Sequence, residues 1–259
     1  MAVLEECRTR KLVLVGNPNV GKSVIFRLIT GSYVMVSNFP GTTVDVSRGK
    51  AQIGGVPWEV IDTPGINSMV PQSEDERVTC EILLEEAPDL IVQVADAKNL
   101  RRTLLVTSQL VEFQRPMVLV MNMMDEAHSR GIQIDTAGLS QLLNIPVVET
   151  VAIYSQGKKQ LFQAIQSASV PRNPVKLNGW VNPEPDESKA ESPIPRALGV
   201  EWLSLEDRGF TQWLTSFAGP DAVEGIARGA NGNHRPHGRG LAREIAAARN
   251  EFLEQAVER

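Results

Sequence analysis

The chain has 259 residues, 42% of them hydrophobic, and a formal net charge of -5 at pH 7. This suffices for one large core with a smaller satellite, and the negative balance argues against duplex nucleic acid as the main partner. Cys7 and Cys80 form no spaced pair, the acidic start Glu5-Glu6 is unlike a signal peptide, and no run reaches the roughly 18 apolar residues that cross a bilayer, so the expectation is a soluble object of a reducing, cytosolic compartment.

In chain order, residues 11–15 are a short apolar, β-branched run that reads as a buried strand, and residues 24–29 read as a helix ended near Gly31. Between them lies Gly16-Asn17-Pro18-Asn19-Val20-Gly21-Lys22-Ser23, with the spacing G-x-x-x-x-G-K-S. A strand leading in and a helix leading out are the context that makes this spacing a phosphate-binding loop. Backbone N–H groups running into Val24 and the helix N-terminus would form a cradle for anions. Lys22 would reach the β- and γ-phosphates, and the Ser23 hydroxyl would bind Mg²⁺. The plain alternative is a glycine-rich turn that matches by chance; the flanking elements weigh against it.

The next stretch, Ser37-Asn38-Phe39-Pro40-Gly41-Thr42-Thr43-Val44-Asp45, reads as a mobile loop carrying a threonine for Mg²⁺ and the γ-phosphate, and also as a Pro-Gly turn before a strand. Residues 47–53 and 58–62, joined by Gly54-Gly55-Val56-Pro57, predict a hairpin that gives the sheet one antiparallel edge strand. The hairpin ends on Asp62-Thr63-Pro64-Gly65. An acid at a strand's C-terminal end can hold the Mg²⁺ shell, and the Gly65 amide can meet the γ-phosphate. Ile66 follows, and an isoleucine cannot orient water.

Helical patterns over residues 74–86, 100–113, 135–143 and 158–168 alternate with strand-like runs at 90–95, 117–122 and 146–150. This predicts an α/β fold with a mostly parallel sheet of six to seven strands and helices on both faces. The acidic start of the 74–86 helix, Glu74-Asp75-Glu76, suits the helix dipole. Asn122-Met123-Met124-Asp125 ends a buried strand, where Asp125 can accept both N1–H and the 2-amino group of guanine; a helix N-cap is its plain alternative. Val151, Ala152 and Ile153, before Tyr154-Ser155-Gln156-Gly157, would close over the base through backbone amides.

Composition changes near Pro171, with prolines at 171, 174, 183, 185, 193 and 195. That divides the chain into residues 1–170 and a helical part, 171–259. Short helices are predicted at 198–205 and 209–217, a loop at 229–238, and an amphipathic helix at 241–257. His234 and His237 lie in that loop without the acid or cysteine that would complete a metal site, so they and His128 read as polar surface residues.

The four motifs, in this order, resemble the translation-factor-related small GTPases, a P-loop fold. The set resembles most closely the cytosolic G domain of the bacterial ferrous-iron transporter family, FeoB. The residues that carry it are Gly16 to Ser23, Asn38-Phe39-Pro40-Gly41-Thr42-Thr43-Val44-Asp45, Asp62 to Gly65 and Asn122 to Asp125. The family's N-W-P-G-x-T-V-E pattern aligns its threonine with Thr43, beside Gly41 and Thr42, and N-M-x-D is typical of it where relatives have N-K-x-D. Three positions depart from the common patterns: Phe39 for tryptophan, Met123 for the general lysine, and Ala152-Ile153 for Ser-Ala.

The resemblance implies a GTPase that uses GTP, GDP and Mg²⁺ (Ser23, Thr43, Asp62) and is activated by K⁺ bound at Asn19. Asn19, Lys22, Thr43 and Gly65 would act on the phosphates. Residues 171–259 would be a helical spacer that stabilises bound GDP, and the partner would be the transmembrane part of the same transporter, placing this chain on the cytoplasmic side of a cell membrane. A homo-oligomer stays open, and no nucleic acid is expected. The rival is a free-standing GTPase of ribosome assembly or tRNA modification, which a strongly basic tail would favour; this tail mixes Arg with Glu.

Overall fold

The computed structural model describes residues 8–31, 34–173, 175, 194–205, 208–230 and 238–257. The first half runs β1 (Arg10–Gly16), α1 (Lys22–Thr30), β2 (Val34–Asn38), β3 (Asp45–Ile53), β4 (Val56–Asp62), α2 (Glu74–Glu85) and β5 (Leu90–Asp96). There follow α3 (Leu100–Leu110), β6 (Met117–Asn122), α4 (Met124–Ser129), α5 (Thr136–Leu143), β7 (Val147–Glu149) and α6 (Lys158–Gln166). The strands form one sheet in the order β2-β3-β4-β1-β5-β6-β7. β1 lies parallel to β4 and β5, and β6 continues the parallel run to β7.

Alternation along β1 explains why the sheet is covered on both faces. Leu12 and Leu14 enter a core with Ile25 and Phe26 of α1 and Leu161 of α6. Val13 and Val15 enter the opposite core, with Leu83 of α2 and Leu104 of α3.

The edge of the sheet differs from expectation. The run at 47–53 is not the edge, because β3 pairs antiparallel with both β4 and β2, and β2 takes the rim. No apolar periodicity marks β2, since it forms through its ladder to β3 and leaves Met35 and Val36 each 60% exposed. The β3–β4 turn is Gly54-Gly55, with φ of 59° and 80°. Positive φ at both central residues is a type I′ turn, the two-residue turn whose twist matches that of a hairpin.

Beyond residue 194 come α7 (Arg196–Leu203), α8 (Arg208–Ala218), α9 (Pro220–Ala230) and α10 (Gly238–Val257). α9 was not expected, and Gly229, Ala230 and Gly238 are helical where a loop was predicted; the rest of that stretch, with His234 and His237, lies outside the described residues. Gly219, at φ 84°, ends α8 by donating to the Thr215 carbonyl at 3.0 Å. Pro220 then starts α9 at the first helical position, where its missing N–H costs nothing. Leu198, Trp202, Phe210, Leu214, Ile245 and Phe252 of these helices join the apolar core that α2 and α3 build on the sheet. Within it, the Arg249 guanidinium of α10, 1% exposed, donates to the Ser108 carbonyl at 2.6 Å, to Glu201 at 2.8 Å and to Glu112. Among the described residues, no helix is long and apolar enough to cross a membrane.

Candidate functional site

The predicted phosphate loop sits at the C-terminal ends of β1 and β4, where an open parallel sheet places its ligands. Gly16 is obligatory there: a Cβ on it would lie 2.3 Å from the Val94 carbonyl of β5. Gly21, at φ 85°, turns the chain into α1, whose first amides rise from the loop. Asn17 is buried and donates from Nδ2 to the Ile66 carbonyl at 2.9 Å, while the Ile66 amide donates to Gly16 at 2.9 Å. These bonds tie the loop to the segment after Asp62. Gly65 presses on the loop as well, since a Cβ there would stand 2.9 Å from Pro18 Cα. Ile66 is fully buried, so its side chain has no contact with solvent.

Three predicted residues converge. The Lys22 ammonium donates to the Asp62 carboxylate and the Thr63 carbonyl, and the Ser23 hydroxyl donates to the second oxygen of Asp62 at 3.2 Å. Asp62 is itself 7% exposed. A hydroxyl and a carboxylate side by side are the hard oxygen donors that Mg²⁺ takes. Asn19 stands exposed on the loop at φ 64°.

Thr43 is not brought to this pair. It lies exposed on a tight turn closed by the Phe39 amide on the Val44 carbonyl at 2.8 Å. Thr42, beside it, uses its hydroxyl to bond Phe39 at 3.0 Å and to receive the Val44 amide at 3.2 Å. With Phe39, Pro40 and Gly41, Thr42 faces a groove of about 820 Å³ against α2 and α8.

At the other end of the loop, Asn122 links three segments. Its Nδ2 donates to the Val20 carbonyl at 2.9 Å, and its Oδ1 accepts from the Thr150 hydroxyl and the Ala152 amide, each at 3.0 Å. So Asn122 holds the phosphate loop and the predicted base-closing loop together. Met123, at φ 62°, occupies the N-cap of α4, which leaves Asp125 exposed in the first turn and not capping. Val151 and Ala152 are buried, Ile153 is exposed, and Val151 bridges to Gln156.

Two contributors escaped the sequence pattern. Glu76 does more than suit the helix dipole: its carboxylate is buried and accepts the amides of Asn67 at 3.1 Å and Gln72 at 2.9 Å, so it fixes the loop after Gly65. A Ser followed three residues later by Glu is a local signal for a helix start, and Ser73 is the N-cap of α2, its hydroxyl accepting the Glu76 amide at 3.3 Å. Lys98 is the second, in the 3₁₀ turn Ala97–Asn99 after β5. Burial works against its charge, yet Glu126 and Asp96 outweigh that and raise its pKa. Burial likewise opposes the Asp96 charge, but bonds from the Lys98 backbone and ammonium and from Asn99 hold that carboxyl below its usual range.

Residues 10–165 match the family model described as ferrous iron transport protein B. The Fe(2+) transporter FeoB of Legionella pneumophila (strain Lens) is 38% identical over 170 residues, 64% of this chain and 23% of that protein. The structure of the cytosolic domain of L. pneumophila FeoB has a TM-score of 0.70 at 30% identity, covering 96% of this chain and 97% of that one. The cytosolic domain of the T. maritima FeoB iron transporter in its GMPPNP form gives 0.71 at 27% identity, covering 96% and 98%. The chain spans about a fifth to a quarter of the length of the curated relatives it matches. As the family model takes in more than half of the residues and the solved cytosolic domains share the fold, the chain belongs to the ferrous iron transport protein B family.

Proposed function

We propose that this chain is the GTP-operated switch of a ferrous-iron transporter, binding GTP with Mg²⁺ and hydrolysing it to GDP and phosphate. The observation that carries the reading is the convergence of Lys22 and Ser23 on Asp62 at the N-terminus of α1. The same strand ends present a phosphate cradle, a cation and a pair of hard oxygen donors. Bound phosphate would compete with Asp62 for the Lys22 ammonium, and the released carboxylate would face Ser23, where the two would hold Mg²⁺. That ion would supply charge neutralisation between the β- and γ-phosphates.

With Ile66 buried, no side chain at that position orients water, and Asn19 is our candidate for holding K⁺ against the phosphates. Thr43 would join the site only when its turn opens, which makes residues 39–44 one moving part and the loop after Gly65 the other. Asp125, with Asn122 and Met123 beside it, would read guanine. Residues 1–170 would be the G domain and 171–259 the helical spacer, on the cytoplasmic side and joined to the transmembrane part of the transporter. Relatives whose solved forms carry GDP or GMPPNP support nucleotide binding.

The test is GTP turnover by the purified chain in K⁺ and in Na⁺ at equal ionic strength. Asn19→Gly is the control, because glycine takes the left-handed backbone at φ 64° without strain. Slow turnover in Na⁺, a rise in K⁺ and loss of that rise in the variant are expected. Equal rates in both salts would remove Asn19 from this role. Failure to bind guanine nucleotide at all would overturn the whole reading.

A further inference from the structure

The base-binding motif carries Met123 where a lysine is general, yet an ammonium reaches it from another element. Lys98 Nζ lies 3.2 Å from Met123 Sδ, 3.1 Å from Asp96 Oδ1 and 2.9 Å from Glu126 Oε2. Its side chain is only 10% exposed. Asp96 also accepts the Lys98 backbone amide at 2.9 Å and Asn99 Nδ2 at 2.8 Å, so the ammonium is held on a clamped turn. Met123 in turn lies over the phosphate loop, its Cε 4.0 Å from a Cβ built on Gly21.

From this juxtaposition we propose that Lys98 is a positioning residue for the purine, supplying from the end of β5 the ammonium that the Asn122–Asp125 motif lacks. The inference rests on the guanine-nucleotide reading above. Lys98 does two things. It fixes the Met123 thioether, a weak acceptor on a flexible stem, against the loop that Asn122 also grips. It also offsets one of the two negative charges of Asp96 and Glu126, which would otherwise both stand uncompensated near an electron-rich base and its phosphates. An ammonium held at low exposure acts more strongly than one in water.

The test measures affinity and release of a fluorescent GDP analogue by the full chain. The variants are Lys98→Met, Lys98→Arg, Met123→Lys, and Lys98→Met combined with Met123→Lys. Lys98→Met is expected to weaken binding about tenfold and Lys98→Arg about twofold or less. Returning the ammonium at residue 123 is expected to restore affinity in the Lys98→Met background, while Met123→Lys alone brings no gain. An equal gain in both backgrounds would mean that residue 123 acts independently of Lys98, and would overturn the proposal. Should Lys98→Met not fold, the double variant alone answers, since it moves the charge without deleting it. Affinity unchanged in Lys98→Met while the melting temperature falls would reduce Lys98 to a staple between α4 and the turn, and the proposal would fail. Failure of the double variant to recover would also overturn it. Absence of binding by the unaltered chain would overturn the nucleotide reading first, and this inference with it.

Discussion

The indole N–H of Trp202, in α7, donates a 2.5 Å hydrogen bond to the carbonyl of Met69, in the loop that leaves Gly65. Met69 is fully buried, and the Cys80 thiol approaches the same carbonyl at 3.4 Å. The helical segment thereby holds by its backbone the loop that the phosphate site would move. Trp202→Phe keeps an aromatic ring against Phe210, now 5.7 Å away edge-on, and deletes the donor. A buried carbonyl left with a thiol alone should cost about 1–3 kcal/mol. Urea unfolding measures it; an unchanged midpoint would show that the thiol suffices.

Asn122 offers a sharper test of the site's construction, because the amide is used at both ends. In Asn122→Asp the atom facing Val20 becomes an acceptor against an acceptor. The bonds from Thr150 and Ala152 can survive on the other oxygen. We expect about 2–3 kcal/mol of lost stability and a large fall in nucleotide affinity, read by urea unfolding and by titration with a fluorescent nucleotide. Unaltered affinity would mean that the phosphate loop keeps its shape without the tether.

The buried cluster of α10 predicts a pH dependence. Burial pushes the Glu112 carboxyl up and the Arg249 charge only partly offsets it, with Glu201 adding repulsion; Glu201 is raised by burial in the same way. A carboxyl whose folded pKa is raised holds an extra proton in the folded chain. Its stabilising share is therefore complete below the unfolded value of about 4.3 and is lost as pH rises through the folded value. Arg249→Met leaves two carboxylates without their cation and should cost about 3–5 kcal/mol at pH 8, and less at pH 5. The difference between variant and unaltered chain, by urea unfolding at both pH values, isolates the effect. A penalty that shrinks toward pH 8 would contradict the assignment.

What could be read from the sequence was whatever is local. Gly16 to Ser23 are contiguous, running from the end of β1 through the loop into α1, and the mostly parallel sheet follows from the alternation of strands and helices. What could not be read is contact between distant stretches. The partners of Asn122 lie at residues 20, 150 and 152, so its motif suggested base recognition before it suggested a tether. Lys98 and Trp202 meet Met123 and Met69 only through the fold. α9 went unread in the sequence; here Gly219 closes α8 and Pro220 opens the next helix. β2 was hidden because a ladder, not a buried face, makes it a strand.

That rim strand has a practical consequence for anyone concentrating the protein. Val34-Met35-Val36-Ser37-Asn38 carries no charge and no proline, and among the described residues nothing pairs with its outer side. A row of open amides and carbonyls flanked by exposed Met35 and Val36 is the kind of surface that recruits a further strand, and the usual safeguards of lysine, proline or a bulge are missing. This rim is therefore a place where self-association can start without any loss of folding. A lysine at Val36 would make the chain easier to keep in solution without touching the core.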